Sequence, residues 1–382
     1  MKFLVCTDSF KGSLTAPEMC DAIREGIMMN MPDAEVVMMP LADGGEGTAE
    51  AVMSAMRGII VCEKVCDPFG YDADGYVGFG DGLCVIDTAA ASGIGLTKKY
   101  DSFGHGGIME ASTFGTGIQI RRALRAGYRR IIVGLGGSGT NDGGIGAAYA
   151  LGMKFFDRDG AELDARRGGG ILGEIAEVSF DELMPELKEA ELSLMFDVAI
   201  PLTGDKGCAK NYAPQKGASP DEVDALEQGM ISYAAVVDRA LGTSLSLCGG
   251  TGAAGGLAFS LAACGGKLTP GAEYILDVCG FDEAAADADV IITGEGKCDF
   301  QTASGKLPAC VAKRAKAVSK AAVVCVCGMS DPAAEFYEMG CDAVFALADA
   351  PMTFEESMDG CERLAQKLAY NIAGLARGMR KG

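Results

Sequence analysis

Short apolar runs of strand length punctuate this chain: FLVC, VVMM, LCVID, IIVGL, LSLMFDV, DVIIT, AAVVCVC and DAVFAL. Between several of them lie segments with helical apolar spacing, such as APEMCDAIREGIMMNM and ASTFGTGIQIRRALRAG. That alternation predicts an α/β chain with parallel or mixed sheets and flanking helices. At 382 residues the chain exceeds the roughly 250–300 residues that one core can serve, so two domains are expected. No repeat or low-complexity linker marks their boundary. The 150s to 180s are more polar: ARRGGGILGE reads as an excursion loop and DELMPELKEAE as an exposed helix or turn.

The formal charge of −20 repels nucleic acid and anionic lipid, and no basic run offsets it; neither is expected as a partner. An anionic small molecule would have to be drawn in locally, by a few placed lysines, arginines or backbone N–H groups. No apolar run approaches the ~18–20 residues of a membrane span. MKFLVC is too short for a signal-peptide apolar region and reads as a first strand, so a cytoplasmic protein is expected. The 15 cysteines are scattered, include no C-x-x-C pair, and often sit in apolar runs, as Cys325 and Cys327 do. They are read as reduced thiols packed as small hydrophobes. The single histidine, His105, lies in a flexible GHGG context and is read as a loop residue; zinc is not expected.

The residues just past each apolar run are more informative. FLVCT ends in Asp8, with Ser9 and Lys11 behind it. VVMMPLA ends in Asp43, three residues before Glu46. LCVI ends in Asp87, and LSLMF in Asp197. IIVGLGGSGT runs into Asn141 and Asp142, and DVIITG into Glu295, with Lys297 and Asp299 close behind. In a parallel sheet the carboxyl ends of the strands open onto one edge, where ligands bind. Any one of these acids alone would be read as a helix cap; so many together, each beside a second polar group, predict a shared ligand-binding edge. Clustered carboxylates favour a hard cation, Mg²⁺ above all, held partly through phosphates. Glycine loops offer N–H groups to phosphate oxygens, and Lys216 in APQKGA and Lys306 in QTASGK offer positive charge. Those are the parts of phosphoryl transfer.

The glycine loop after IIV contains G-x-G-x-x-G at Gly134, Gly136 and Gly139, the spacing of a dinucleotide-binding turn. In a chain with 55 glycines it leaves two readings open, a phosphate loop or a tight turn. A NAD-dependent dehydrogenase would need Asp157 or Asp159 on the ribose. The loop is no Walker A motif, because Thr140 stands where the lysine belongs.

The segments DSFKGSLTA, PLADGGEGT, AAASG, TFGTG, GLGGSGTNDGG, DVAIPLTG, APQKGA, GTGAAGGL and ITGEGKCDFQTASGKLP succeed one another over nearly the whole chain. In that order the chain resembles the bacterial glycerate kinase family. The resemblance implies a type I glycerate kinase fold with the active cleft between two α/β domains. Residues 1–75 plus 286–382 would form a discontinuous Rossmann-like domain and 76–285 an inserted one. It implies ATP, Mg²⁺ and D-glycerate, with 2-phosphoglycerate as product, or 3-phosphoglycerate as the alternative, in a monomer or homodimer. On this resemblance Lys11, Asp43, Asp197 and Lys306 are the candidate catalytic residues. Asp8, Ser9, Glu46, Asn141, Asp142, Lys216, Gln301 and Thr302 would contact substrate. Gly136, Gly137, Ser138, Gly139, Gly252, Gly255 and Gly256 would cradle nucleotide phosphates, and Asp197, Glu295 and Asp299 would hold the metal. The chain departs from the family at Ile200, where asparagine is usual before the proline, at FGHGGIMEAS, and at Tyr212-Ala213. A metabolite sensor that kept the fold and lost turnover is the non-enzymatic rival; the occupied charged positions argue against it.

Overall fold

The computed structural model describes residues 1–99, 107–300 and 302–379; His105 and Gln301 lie outside the described residues. The strands are β1 (Lys2–Thr7), β2 (Glu35–Met38), β3 (Ile59–Cys66), β4 (Asp72–Gly80), β5 (Leu83–Asp87), β6 (Arg130–Gly134), β7 (Lys154–Phe156), β8 (Glu177–Ser179), β9 (Glu191–Phe196), β10 (Lys267–Pro270), β11 (Val290–Cys298), β12 (Ala322–Ser330) and β13 (Ala343–Ala346). They belong to two compact units. The first comprises Met1–Asp43, Glu50–Gly58 and Gly271–Gly382, the second Gly44–Ala49 and Ile59–Pro270.

The unit boundaries differ from the expected 75 and 286. Residues 59–75 go with the second unit because β3 pairs antiparallel with β4 along its whole length, from Ile59 opposite Phe79 to Cys66 opposite Asp72. A hairpin cannot be split between two cores. Residues 271–285 go with the first unit, where the helices Gly271–Val278 and Phe281–Ala285 pack on the helix Leu307–Val318.

The first unit is built on a five-stranded sheet in the order β13-β12-β11-β1-β2, with every neighbouring pair parallel. Parallel strands covered on both faces read as unbroken apolar runs, which is why FLVC and AAVVCVC show no alternation. Phe3, Val5, Ile292 and Val326 from the sheet meet Met19, Ile23 and Ile27 from the helix Ala16–Asn30 in one core. That helix starts at a capping box in which Thr15 and Glu18 satisfy each other's backbone N–H groups,. Its Gly26 is required by a close approach: a Cβ there would lie 2.1 Å from the carbonyl oxygen of Gln366 in the helix Cys361–Met379.

The second unit has a six-stranded mixed sheet in the order β10-β9-β6-β5-β4-β3, parallel from β10 to β5 and antiparallel across β4 and β3. Leu194, Ile131, Val133 and Ile86 from the sheet pack with Ile120 and Leu124 of the helix Phe114–Arg125 and Leu257 and Leu261 of the helix Leu257–Ala263. The polar stretch folds as the two-stranded pair β7-β8 with short 3₁₀ turns at Ala165–Arg167 and Gly169–Glu174. The segment DELMPELKEAE contains one 3₁₀ turn, Pro185–Lys188.

Candidate active site

In the first unit the chain carries three acids to the carboxyl ends of neighbouring strands. Thr7 of β1 lies opposite Gly294 of β11, so Asp8 and Glu295, each one residue further on, are abreast. The Asp8 N–H donates to the Gly294 carbonyl at 2.9 Å. The segment after β2 continues beside β1 through a Leu41 N–H bond to the Thr7 carbonyl at 3.0 Å, which delivers the buried Asp43 to the same edge. Burial, and then the charges of Asp43 and Glu295, push the Asp8 carboxyl up to about 8; the Ser9 N–H and the Lys11 ammonium oppose them. The Ser9 contribution here is its backbone N–H, 2.6 Å from Asp8 Oδ1.

Glu295 is held from both sides. Thr302 Oγ1 donates to its Oε1 at 2.5 Å and Lys306 Nζ to its Oε2 at 3.3 Å. Burial raises its pKa, and those two partners oppose the shift. The Asp299 N–H donates to Thr302 Oγ1 at 3.1 Å, and the Asp299 carboxylate pairs with Lys297 at 2.9 Å. Thr302, expected to touch substrate, thus orients Glu295 and fixes the turn after β11.

The glycine loop of the second unit is built around a lysine. Lys216 Nζ donates to Ser138 Oγ at 2.9 Å and to the Thr140 carbonyl at 2.7 Å. Desolvation lowers its pKa to about 8, while the nearby Cys208 thiol and Asp142 hold it up. The Gly136 N–H bonds the Gly44 carbonyl at 3.1 Å and the Gly139 N–H bonds the Ser92 carbonyl at 2.8 Å. Only the N–H groups of Gly137 and Ser138, of the four loop residues, have no carbonyl partner among the described residues. Glu46 is exposed, its Oε2 3.0 Å from where a Cβ on Gly137 would stand.

Several sequence-based expectations change here. Asp142 is fully buried, and both its oxygens are taken. Oδ2 accepts from the Thr113 N–H, the Thr113 hydroxyl and the Gly146 N–H at 2.8, 2.8 and 3.3 Å, and Oδ1 from the Gly144 N–H at 2.9 Å. It is an internal anchor, not a substrate contact. Asp87 likewise caps the helix Thr48–Met56, accepting from the Gly47 and Ala49 N–H groups at 3.1 Å. Gly252, Gly255 and Gly256 serve packing. The N–H groups of Gly252 and Gly256 bond the carbonyls of Ile200 and Gly252. A Cβ at Gly252 would meet the Pro201 carbonyl at 2.2 Å, one at Gly255 the Thr140 carbonyl at 2.2 Å, and one at Gly256 the Gly143 Cα at 2.7 Å. At Ile200 it is the backbone that does this, its carbonyl accepting from both Gly250 and Gly252.

The three expected metal ligands are divided: Glu295 and Asp299 are on the first unit, Asp197 on the second, where it is exposed at the end of β9. Among the described residues no three His, Cys, Asp or Glu side chains form a metal-holding group. The dinucleotide reading also loses its parts. Two of the loop's N–H groups are occupied, and Asp157 Oδ1 is spent on its own turn, accepting from Asp159 and Ala161 N–H groups at 2.9 Å each. One buried acid was missed. Glu227, on the apolar face of the helix Pro220–Leu241, accepts from the Gly204 N–H at 2.6 Å and leaves Oε2 unpartnered among the described residues. A glutamate interrupting the Leu226, Met230, Tyr233 stripe was its signal in the sequence.

Residues 3–377 match the family model described as the glycerate kinase family. The chain is 37% identical over 376 residues to a glycerate kinase of Bacillus subtilis (strain 168), covering 98% of this chain and 97% of that one. It is 37% identical over 386 residues to a glycerate 2-kinase of Escherichia coli (strain K12), covering 100% and 99%. A crystal structure assigned as a glycerate kinase 2 of Salmonella typhimurium LT2 matches over 100% of both chains with a TM-score of 0.87 at 35% identity.

Proposed function

This chain belongs to the glycerate kinase family, and on that premise we propose that it transfers the γ-phosphoryl group of ATP to the 2-hydroxyl of D-glycerate, giving 2-phospho-D-glycerate and ADP. The observation that carries the reading is the row Asp8, Asp43 and Glu295 across adjacent parallel strands, beside Lys11 and Lys306. Phosphoryl transfer asks the protein for little covalent chemistry; positioning and charge stabilisation do most of it. On this reading Asp43 accepts the proton of the attacking hydroxyl, and Lys11 and Lys306 offset the charge of the group in transfer. Asp197, on the second unit, is proposed as a further catalytic residue. The N–H groups of Gly137 and Ser138 face nucleotide phosphate.

The donor set suits Mg²⁺ in one way only. Glu295 and Asp299 are already partnered by Thr302, Lys306 and Lys297, so they form no all-protein cage. Mg²⁺ characteristically keeps its waters and binds through one or two carboxylates plus substrate phosphates. Glu295 and Asp299 are the carboxylates of the first unit proposed to meet it, and it would neutralise charge on the β- and γ-phosphoryl oxygens.

The test is conditional ATP consumption. The purified protein should consume ATP only when D-glycerate is added, and chelation of Mg²⁺ should stop it; equal hydrolysis without glycerate would sink the kinase reading. An assay coupled through enolase alone should report the product directly. Signal only after phosphoglycerate mutase is added would assign the 3-hydroxyl as nucleophile. The substrates are small molecules, and no helix among the described residues is long and apolar enough to cross a membrane; a cytoplasmic monomer or homodimer is proposed.

A further inference from the structure

Asn141 is completely buried, and neither its Nδ2 nor its Oδ1 has a hydrogen-bond partner among the described residues. The adjacent Thr140 Oγ1 is buried and unpartnered among them as well. A buried amide left without partners is costly, and native proteins rarely keep one without a ligand or water to fill it. Lys216 reaches the residue before Asn141: its ammonium is bound by two neutral oxygens, Ser138 Oγ and the Thr140 carbonyl. Among the described residues the one carboxylate charge that acts on it, Asp142, is already spent on four other donors. The stretch therefore offers a positive charge without an ion-pair partner among the described residues, an N–H donor and a carbonyl acceptor.

That donor set separates two kinds of anion. A fully ionised phosphoryl group has only acceptors: it would satisfy Lys216 and Nδ2 and leave Oδ1 unpaired. A hydroxy acid has both, a carboxylate that accepts and a hydroxyl that donates. The geometry points to Asn141 and Lys216 as the specificity-determining pair for the acceptor acid. Lys216 and Asn141 Nδ2 bind its carboxylate, and Asn141 Oδ1 takes a hydrogen bond from the hydroxyl that is not phosphorylated. This rests on the glycerate kinase reading and deepens it. Glycerate has two hydroxyls. The attacking one must give its proton to a base, so it is not the one that donates to an amide oxygen. The other is, and an acid lacking it leaves Oδ1 unpaired again.

The experiment compares D-glycerate with D-lactate, the same acid without the 3-hydroxyl. A site built to bond a hydroxyl rejects the analogue lacking it strongly, so the wild-type protein should favour D-glycerate by at least about 100-fold in kcat/KM. Asn141→Ala should shrink that preference below about tenfold, and Lys216→Met should raise the KM for glycerate at least about tenfold while the KM for ATP stays within about twofold. An undiminished preference in Asn141→Ala, or a Lys216→Met defect in ATP instead of glycerate, overturns the assignment and leaves the kinase reading standing. Calorimetric competition on the wild-type protein needs neither variant nor turnover. D-glycerate should bind, and methyl phosphate, whose dianion at the assay pH carries no O–H, should not displace it at equal concentration. Equal competition by methyl phosphate marks a phosphoryl site and refutes the proposal even if no variant folds.

Discussion

At the residue scale, side chains with the same charge do different work. Lys11 is exposed and acts on Asp8 through its charge, in a molecule that carries −20 and handles anions. Lys11→Ala should lower kcat/KM by about 10²–10³, the usual loss when one placed transition-state contact is removed. Removing an exposed lysine typically changes stability by less than about 0.5 kcal/mol, so steady-state rates and a denaturation midpoint separate the two effects. Near-normal kcat/KM would reduce Lys11 to a surface charge. Lys216 gives a pH signature. Its burial lowers its pKa to about 8, so the charged form that binds an anion is complete below that pH and lost above it. The groups facing it are the Cys208 thiol, itself pushed up to about 12 and therefore neutral, and the Asp142 carboxylate. The kcat/KM for glycerate should fall as pH rises through about 8, because that ratio reports the free enzyme. Lys216→Arg, which keeps its charge, should shrink that fall to the part contributed by Asp8, whose carboxyl also lies at about 8; an undiminished fall would take the signature away from Lys216. The strand-end acids were readable because a residue just past a buried apolar run has one place to go. The role of Asp142 was not: Asn-Asp-Gly-Gly looks the same whether its carboxylate meets a ligand or four internal donors.

At the element scale, the glycine loops are pieces of packing before they are pieces of chemistry. Asp142 ties the start of the helix Phe114–Arg125 to the start of the helix Ile145–Ala150. Asp142→Asn puts an NH₂ group among N–H donors and should cost about 3 kcal/mol, within the range for losing charge-assisted bonds and stranding their donors. Urea denaturation checks it; an unchanged midpoint would make Asp142 a substrate contact again. The helices themselves were legible, since Thr15, Pro17 and Glu18 announce the start of the helix Ala16–Asn30,. The close approaches at Gly26, Gly252 and Gly255 were not, because a glycine that makes room for a backbone and one that makes room for a phosphate have the same letter.

At the scale of the whole molecule, all fifteen cysteines are free and most are buried, so a mild reductant should leave the Tm where it is. A large drop would reveal structural disulfides. Strand order, unit membership and register depend on pairing between distant segments. The pattern of apolar runs was enough to establish an α/β chain, and the succession of motifs was enough to place it beside the glycerate kinases, because both are local properties that survive being read one residue at a time. That β3 belongs with β4 in the second unit, that Asp8 stands level with Glu295 across β1 and β11, and that Lys216 reaches across 78 positions to Ser138 were settled only by tertiary structure. Each is a contact between residues whose separation along the chain carries no information about their separation in space, and each decides whether a polar group faces a partner or a ligand.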